Sequence, residues 1–235
     1  MRFAKQACTH GLAAAAMLAV PGAVAAQGIG KTIVVQNDVS RLKGNQRSAL
    51  TTGESVFKEE AVQTGADSVA KIVFLDQTNL SIGPNARVSL NQYVYSEDRP
   101  AGKVALNLLK GTYRFVTGDL EKKSYQINTP VATIGVRGTT FDVSTTGVRS
   151  VVTLLEGEVR VCTRSGKECA VLNQSGSVAI VTTSGITTGT TPGGSQIQLG
   201  FSGLCAASPA LCTPTRLADG GAVAAPGAVA ALCGR

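Results

Sequence analysis

Between residues 56 and 186 the chain consists mainly of short apolar stretches separated by turn-forming residues. One stretch, residues 72–75, is a continuous apolar run, as expected for a strand that is buried on both faces. The next stretch alternates apolar and polar positions through Leu80 and Ile82 until Gly83 turns the chain. This period of two predicts β-strands, and no segment after residue 26 shows the period of an amphipathic helix. The sequence therefore predicts an all-β fold.

The same reasoning places further strands and turns in this region. Strands are predicted at residues 88–90, 92–95, 104–109, 112–117 and 125–128, and turns at residues 99–102 and 118–119. Residues 108–115 and 154–161 share a pattern: two leucines, a charged residue, a glycine, any residue, and an arginine between two apolar positions. Such a repeat indicates a two-sheet sandwich or a rolled, solenoid-like sheet. A chance likeness between two glycine-containing strands is the alternative.

The first 26 residues have the three parts of a secretory signal peptide. Arg2 and Lys5 are positively charged, residues 12–20 are apolar, and Ala23 and Ala25 form a small-x-small cleavage site. The apolar run is shorter than the roughly 20 residues that a membrane-spanning helix needs, so we predict cleavage instead of anchoring. We expect a periplasmic or secreted protein with no transmembrane segment after cleavage.

Cleavage would change the chemistry that the chain can perform. It removes the single histidine, His10, so the mature chain could not use a Ser-His-Asp or Cys-His arrangement or offer imidazole to a metal. The net charge of +7 would fall to +5 with the loss of Arg2 and Lys5. The remaining basic residues are scattered, which disfavours nucleic-acid binding. We predict a protein that is not an enzyme, binds no nucleic acid, and needs no metal or other cofactor.

Five cysteines follow the predicted cleavage site, and four of them form two closely spaced pairs. Six residues separate Cys162 from Cys169, and six separate Cys205 from Cys212. This spacing suits a hairpin or a short loop in an oxidising compartment, so we predict two disulfides. Metal binding is the weaker alternative, because the chain lacks a CxxC motif. Cys233 is left over, and it either stays free or links two chains into a dimer.

The composition changes from Thr187 onward. Residues 187–196 are rich in glycine and threonine, and residues 213–235 contain few large apolar side chains. Such stretches bury too little apolar surface to offset the entropy of ordering them. We therefore predict four regions: a signal peptide at 1–26, an N-terminal lead segment at 27–55, one β domain at 56–186, and a disordered linker and tail at 187–235.

Residues 129–143 are apolar or small almost throughout, but they contain Arg137 and Asp142. The apolar residues of 132–136 and those of 141–143 have opposite parity, and a strand switches its buried face only through an extra residue or a bend. Two glycines flank the switch: Gly135 and Gly138. Arg137 therefore lies at a predicted kink, where it would bond backbone carbonyls or pair with a carboxylate such as Asp142. The alternative is that Arg137 binds an anionic ligand.

These residues resemble those of a known family. Residues 127–143 resemble the TP-x-A…G-V-R-G-T-x-F-x-V signature of the FecR domain family, residues 70–86 resemble its upstream half, and residues 154–161 resemble its closing strand. The motif positions of interest are Gly135, Arg137, Gly138, Thr139, Phe141 and Asp142.

Membership would imply a β domain that contacts other components of the cell envelope. The best-known FecR proteins are regulators of iron uptake that relay the state of an outer-membrane transporter to a cytoplasmic sigma factor. This chain shows no cytoplasmic segment and no retained membrane helix, so it resembles the standalone exported members instead. We therefore expect a non-enzymatic interaction or sensing module whose partner is an envelope protein.

A polysaccharide or cell-wall binding module is the alternative function. Tyr93 and Tyr95 lie at positions i and i+2, on one face of a predicted strand, and they form the only candidate platform for stacking a sugar ring. Aromatic residues make up only 4% of the chain and tryptophan is absent. Packing in the core or at a sheet edge is the competing role for this tyrosine pair.

Overall fold

The structure is a computed structural model of the 235-residue chain. It describes residues 27–96, 99–120, 125–190 and 201–218, with only the backbone for residues 92–96, 99–103, Arg137 and Ser202. Within these ranges the structure contains no candidate for a membrane-spanning helix. The predicted signal peptide and Cys233 lie outside the described residues.

The described residues confirm the all-β prediction. They form fifteen strands, one short helix and one 3-10 turn: β1 (Gly30–Gln36), β2 (Val39–Lys43), β3 (Gln46–Ala49), β4 (Ser55–Val56), β5 (Ala61–Thr64), β6 (Val69–Phe74), β7 (Asn79–Ile82), β8 (Arg87–Ser96), β9 (Arg99–Val116), β10 (Tyr125–Asn128), β11 (Ala132–Thr145), β12 (Arg149–Thr163), β13 (Cys169–Leu172), β14 (Ser177–Thr182), β15 (Gly185–Thr190), α1 (Phe201–Ala207) and the turn Pro209–Leu211.

The strands form one continuous sheet that folds over into two layers. Layer A has the order β4-β1-β6-β7-β9-β11-β12-β14-β15, and layer B has the order β3-β2-β5-β8-β9-β10-β11-β12-β13. The long strands β9, β11 and β12 belong to both layers, because each pairs with different neighbours along its two halves. The buried faces of the two layers share one hydrophobic core.

Each of the three shared strands has a glycine with positive φ where it passes between the layers. These are Gly111 in β9 (φ 108°), Gly138 in β11 (φ 65°) and Gly157 in β12 (φ 87°). In β9, Leu108 and Tyr113 lie on either side of the glycine and are both buried. Their odd spacing would place them on opposite faces of a regular strand. The glycine therefore marks the point where the strand changes its buried face.

Aromatic side chains join the two layers at the centre of the core. The ring of Phe115 in layer A lies 5.9 Å from that of Tyr125 in layer B and 5.4 Å from that of Phe141. The Tyr125 hydroxyl donates a hydrogen bond of 2.8 Å to Asp76 Oδ2. The buried Asp76 thus lies at a turn and supports the core.

The sheet includes residues at the N-terminal side that the sequence pattern did not assign to it. The sequence predicts a lead segment at residues 27–55, whereas the structure has β1, β2 and β3 there, and β1 pairs with the buried strand β6. The predicted turn at 99–102 is wrong, because Arg99 already pairs with Ser96 as β9 begins. Proline is tolerated near the start of a strand, so Pro100 does not prevent β9 from starting there.

Part of the predicted C-terminal tail folds onto the outer face of layer A. Residues 201–218, which we call the C-terminal cover, bury Phe201, Leu211 and Leu217. Composition alone misses this, because a few apolar side chains suffice when a finished sheet already offers a surface to pack against. Residues 219–235 lie outside the described part of the chain, so disorder there stays a prediction.

Candidate functional site

The FecR-like motif lies where β11 passes from layer B to layer A. Arg137 pairs with Glu158 of β12, and the register then shifts so that Thr140 pairs with Glu156. From Arg137 to Thr140 the chain advances three residues along β11, whereas from Glu158 to Glu156 it covers only two along β12. This extra residue in β11 defines a β-bulge. The bulge predicted from the change of parity is present in the structure.

The motif residues divide between the surface and the core at this bulge. Gly138 is exposed, whereas Thr139 and Phe141 are buried. The Thr139 N–H donates to Thr117 Oγ1 over 2.8 Å, which ties the bulge to the end of β9. Of the two flanking glycines only Gly138 has positive φ, so Gly135 belongs to the regular part of the strand, opposite Arg160.

Asp142 forms an ion pair that sequence reasoning did not identify. Its Oδ1 accepts from Arg114 Nε at 2.7 Å, and its Oδ2 accepts from Arg114 Nη2 at 2.8 Å. Burial raises the pKa of the Asp142 carboxyl, and Arg114 acts in the opposite direction. Asp142 therefore binds Arg114, and the predicted pairing of Asp142 with Arg137 stays a prediction. The side chain of Arg137 lies outside the described part.

Arg114 could have been noticed, because it is the arginine of the repeated pattern in residues 108–115. It lies between the core residues Tyr113 and Phe115, so alternation places it on the outer face of layer A. The register of β9 and β11 then puts it directly opposite Asp142. The pairing of β9 with β11 identifies Asp142 as the partner of Arg114, and the sequence alone does not show that pairing.

The C-terminal cover binds polar side chains on the same outer face. Arg114 Nη1 lies 3.0 Å from Cys205 Sγ, and its guanidinium lies 5.7 Å from the ring centroid of Phe201. Lys71 Nζ donates to the carbonyl oxygen of Ala210 and to Thr215 Oγ1, both at 3.0 Å. Burial lowers the pKa of Lys71 to about 8.

Both predicted cysteine pairs are bonded in the structure. Cys162 and Cys169 lie directly opposite each other on β12 and β13, with an S–S distance of 2.04 Å. Cys205 in α1 is bonded to Cys212, which follows the 3-10 turn. The first disulfide closes a hairpin, and the second lies within the C-terminal cover.

A shallow pocket lies at the end of β10, beside the first residues of the motif. It has a volume of about 250 Å³ and is lined by Asn107, Leu108, Leu109, Asn128, Thr129, Pro130 and Arg164. Arg164 Nη1 donates to Asn128 Oδ1 at 3.0 Å, and Asn128 Nδ2 donates to Asn107 Oδ1 at 3.1 Å. These three polar side chains bind one another, and Leu108, Leu109 and Pro130 supply an apolar part of the lining.

The tyrosine pair lies in β8, in layer B. Tyr93 pairs with Val104 of β9, and Tyr95 lies two positions further along the same strand. Their side chains lie outside the described part, so a sugar-stacking role stays a prediction, as does a ligand-binding role for Arg137.

Residues 60–160 match the FecR protein family. The matched range contains strands β5 to β11, most of β12 and all three glycines at which the strands change layers. This part of the chain is a FecR domain. The family resemblance of the motif is thereby confirmed, and the motif lies where the domain's two layers meet.

The similarity of this chain to solved structures is weaker than its match to the FecR family. Two crystal structures of a "putative anti-sigma factor" from Parabacteroides distasonis, at 1.65 Å and 2.50 Å resolution, are similar to this chain with a TM-score of 0.45 and 15% identity. Each alignment covers 55% of this chain and 59% of the other, so the chain spans less than two thirds of that protein. Among curated proteins, no match is found.

Proposed function

We propose that the chain is an exported FecR-domain protein that acts as a non-enzymatic protein-interaction or sensing module in the bacterial cell envelope. The observation that carries this proposal is the FecR domain with its motif at an exposed bulge. Gly138 is exposed on β11, and residues 156–158 are exposed on the neighbouring strand β12. This surface, which we call the bulge surface, is where a partner protein would bind.

Two features support export. The first 26 residues have the pattern of a signal peptide, and two cysteine pairs are bonded. Disulfides persist in oxidising compartments such as the periplasm and the extracellular space. A periplasmic or secreted location is therefore part of the proposal.

The test is affinity capture from crosslinked envelope fractions, with the tag placed after residue 26 and the captured proteins identified by mass spectrometry. We expect one dominant envelope protein with the wild type, and its loss with Arg137→Ala. Arg160→Ala is the matched control, because Arg160 is an exposed arginine on β12 outside the bulge. It should capture as much partner as the wild type.

Two results would contradict the proposal: no enriched envelope protein, or equal capture by Arg137→Ala and the wild type. Arg137 also has a predicted structural role, so thermal midpoints must be measured beside the capture. If Arg137→Ala lowers the midpoint, the exposed Glu158, which lies directly opposite Arg137, provides a second variant, Glu158→Lys. This variant reverses a surface charge at the bulge.

Polysaccharide binding is the second candidate, because Tyr93 and Tyr95 occupy alternate positions along β8. The measurement is sedimentation of the protein with insoluble cell-wall polysaccharide. If the rings stack on sugars, Tyr93→Ala with Tyr95→Ala should abolish binding, whereas replacing both tyrosines by phenylalanine should largely preserve it. Equal sedimentation of all three proteins would rule out this pair as the platform.

A further inference from the structure

The C-terminal cover is a small unit that packs on the finished FecR sheet. Phe201 and Leu211 form a hydrophobic cluster with Val69 of β6, separate from the main core. It also makes polar contacts with β6 and β7: Lys71 binds the cover as described above, and Asn79 exchanges two hydrogen bonds with the backbone of Thr215, at 2.9 and 2.8 Å. The Ser81 hydroxyl donates to the Leu211 carbonyl oxygen.

The disulfide within the cover holds its two apolar anchors together. Helix α1 has seven residues, and isolated helices shorter than roughly 12–15 residues are marginal in water. Cys205 follows Phe201 in α1, and Cys212 directly follows Leu211. The bond therefore restrains the distance between the two anchors, which without it would be joined only through residues 202–210.

One sulfur of this disulfide lies beside the cation Arg114, which also binds Asp142. Arg114 Nη1 lies 3.0 Å from Cys205 Sγ, and a neighbouring guanidinium stabilises a thiolate. A stabilised thiolate is a better leaving group in thiol–disulfide exchange. Within the described part of the chain, neither sulfur of the Cys162–Cys169 bond accepts a hydrogen bond from a cation.

We propose that the Cys205–Cys212 disulfide is a latch that a dithiol reductant opens, so that residues 201–218 leave the outer face of layer A. The proposal goes beyond the protein-interaction function, because it concerns how one face of the domain is covered and uncovered. Release would expose the Lys71 ammonium and the Arg114–Asp142 ion pair, both of which the cover now shields.

The chemistry is ordinary thiol–disulfide exchange. A thiolate of the dithiol attacks Cys212 Sγ, and the Cys205 thiolate leaves beside Arg114. The second thiol of the reductant then attacks its own mixed-disulfide sulfur and displaces the Cys212 thiolate. Two electrons pass to the protein, the reductant becomes a disulfide, and each cysteine takes up a proton to become a thiol.

The first experiment compares the two disulfides within the same protein. The full exported chain is treated with increasing dithiothreitol, alkylated, and analysed by mass spectrometry. We expect Cys205–Cys212 to open about ten-fold faster than Cys162–Cys169, although Cys169 is exposed and Cys205 is half-buried. Equal rates, or faster opening of Cys162–Cys169, would overturn the proposal.

The second experiment measures release through the reactivity of Lys71. This side chain is buried under the cover, so acetic anhydride should acetylate it only when the cover leaves. Exposed Lys110 should react in every sample and serves as the internal standard. We expect acetylation of Lys71 at a reductant concentration that leaves Cys162–Cys169 intact, with the thermal midpoint showing that the sheet stays folded.

Serine variants separate the latch from general effects of reduction. Cys205→Ser with Cys212→Ser should expose Lys71 to acetylation without reductant, whereas Cys162→Ser with Cys169→Ser should leave it protected. Both pairs have the same sequence separation of 7 residues, so the variants are closely matched. If Lys71 stays protected after Cys205–Cys212 is fully reduced, the latch does not exist.

Discussion

The glycines where β9 and β12 change layers differ from the glycine where β11 does so. All three have positive φ, but a Cβ atom on Gly111 would lie less than 3.0 Å from Ala86, and one on Gly157 would lie less than 3.0 Å from the Gly138 carbonyl oxygen. A Cβ atom on Gly138 would meet nothing within 4 Å. At positions 111 and 157, a glycine is thus required both by the positive φ and by the lack of room for a side chain. At position 138, only the positive φ requires a glycine.

The repeated pattern and the FecR motif therefore mark two different kinds of strand crossing. The repeated pattern of residues 108–115 and 154–161 marks two positions where a strand crosses between layers in close contact with a neighbouring backbone. The FecR motif marks a crossing that is open to solvent at Gly138. The open space beside Gly138 leaves room for a partner protein at the bulge surface, as the proposed function requires.

The largest effect is expected for Gly157→Ala. The new methyl group would strain a residue with φ of 87° and collide with the Gly138 carbonyl oxygen. We expect a loss of about 2–5 kcal/mol in the free energy of unfolding, measured by urea titration. A loss below about 1 kcal/mol would show that the two backbones can separate at little cost.

Gly111→Ala should be nearly as severe, with a loss of about 2–4 kcal/mol. The obstacle here is Ala86, whose Cα atom would lie 2.5 Å from the new Cβ atom. Because part of that collision is with the Ala86 methyl group, the double variant with Ala86→Gly should recover some of the loss. Strict additivity of the two single variants would show that packing against Ala86 is not the cause.

A smaller loss, of about 1–2 kcal/mol, is expected for Gly138→Ala, because only the left-handed conformation is penalised. Asparagine tolerates this conformation better than alanine, so Gly138→Asn should recover much of the difference. Thermal or urea unfolding of both variants provides the measurement. A loss equal to that of Gly157→Ala would mean that the open space beside Gly138 is filled in solution.

The smallest effect is expected for Gly135→Ala, a change in stability within about 0.5 kcal/mol. Gly135 lacks positive φ, and its Cβ atom would meet nothing within 4 Å. It is the matched control for Gly138, three residues away on the same strand. A loss above about 1 kcal/mol would show that the bulge begins earlier than the register of β11 and β12 indicates.

Much of the candidate site could be predicted, because the relevant signals are local. The parity change between residues 132–136 and 141–143 predicts the bulge, and Gly138 is the residue that permits it. Cysteines seven positions apart can be bonded by a hairpin or short turn without any knowledge of the rest of the fold. The sequence does not distinguish Gly135 from Gly138, because parity marks the region of a kink but not the residue that bends.

The sequence by itself determined the all-β class, most strand positions, the bulge in the FecR motif and the two cysteine pairs, since each follows from alternation or short spacing along the chain. Only the tertiary structure decided that Asp142 pairs with Arg114, that β1 joins the sheet, and that residues 201–218 cover its outer face. Alternation shows which side chains turn away from the core. It does not show what they meet there, because those partners lie far away in sequence and are brought together only by strand pairing and packing.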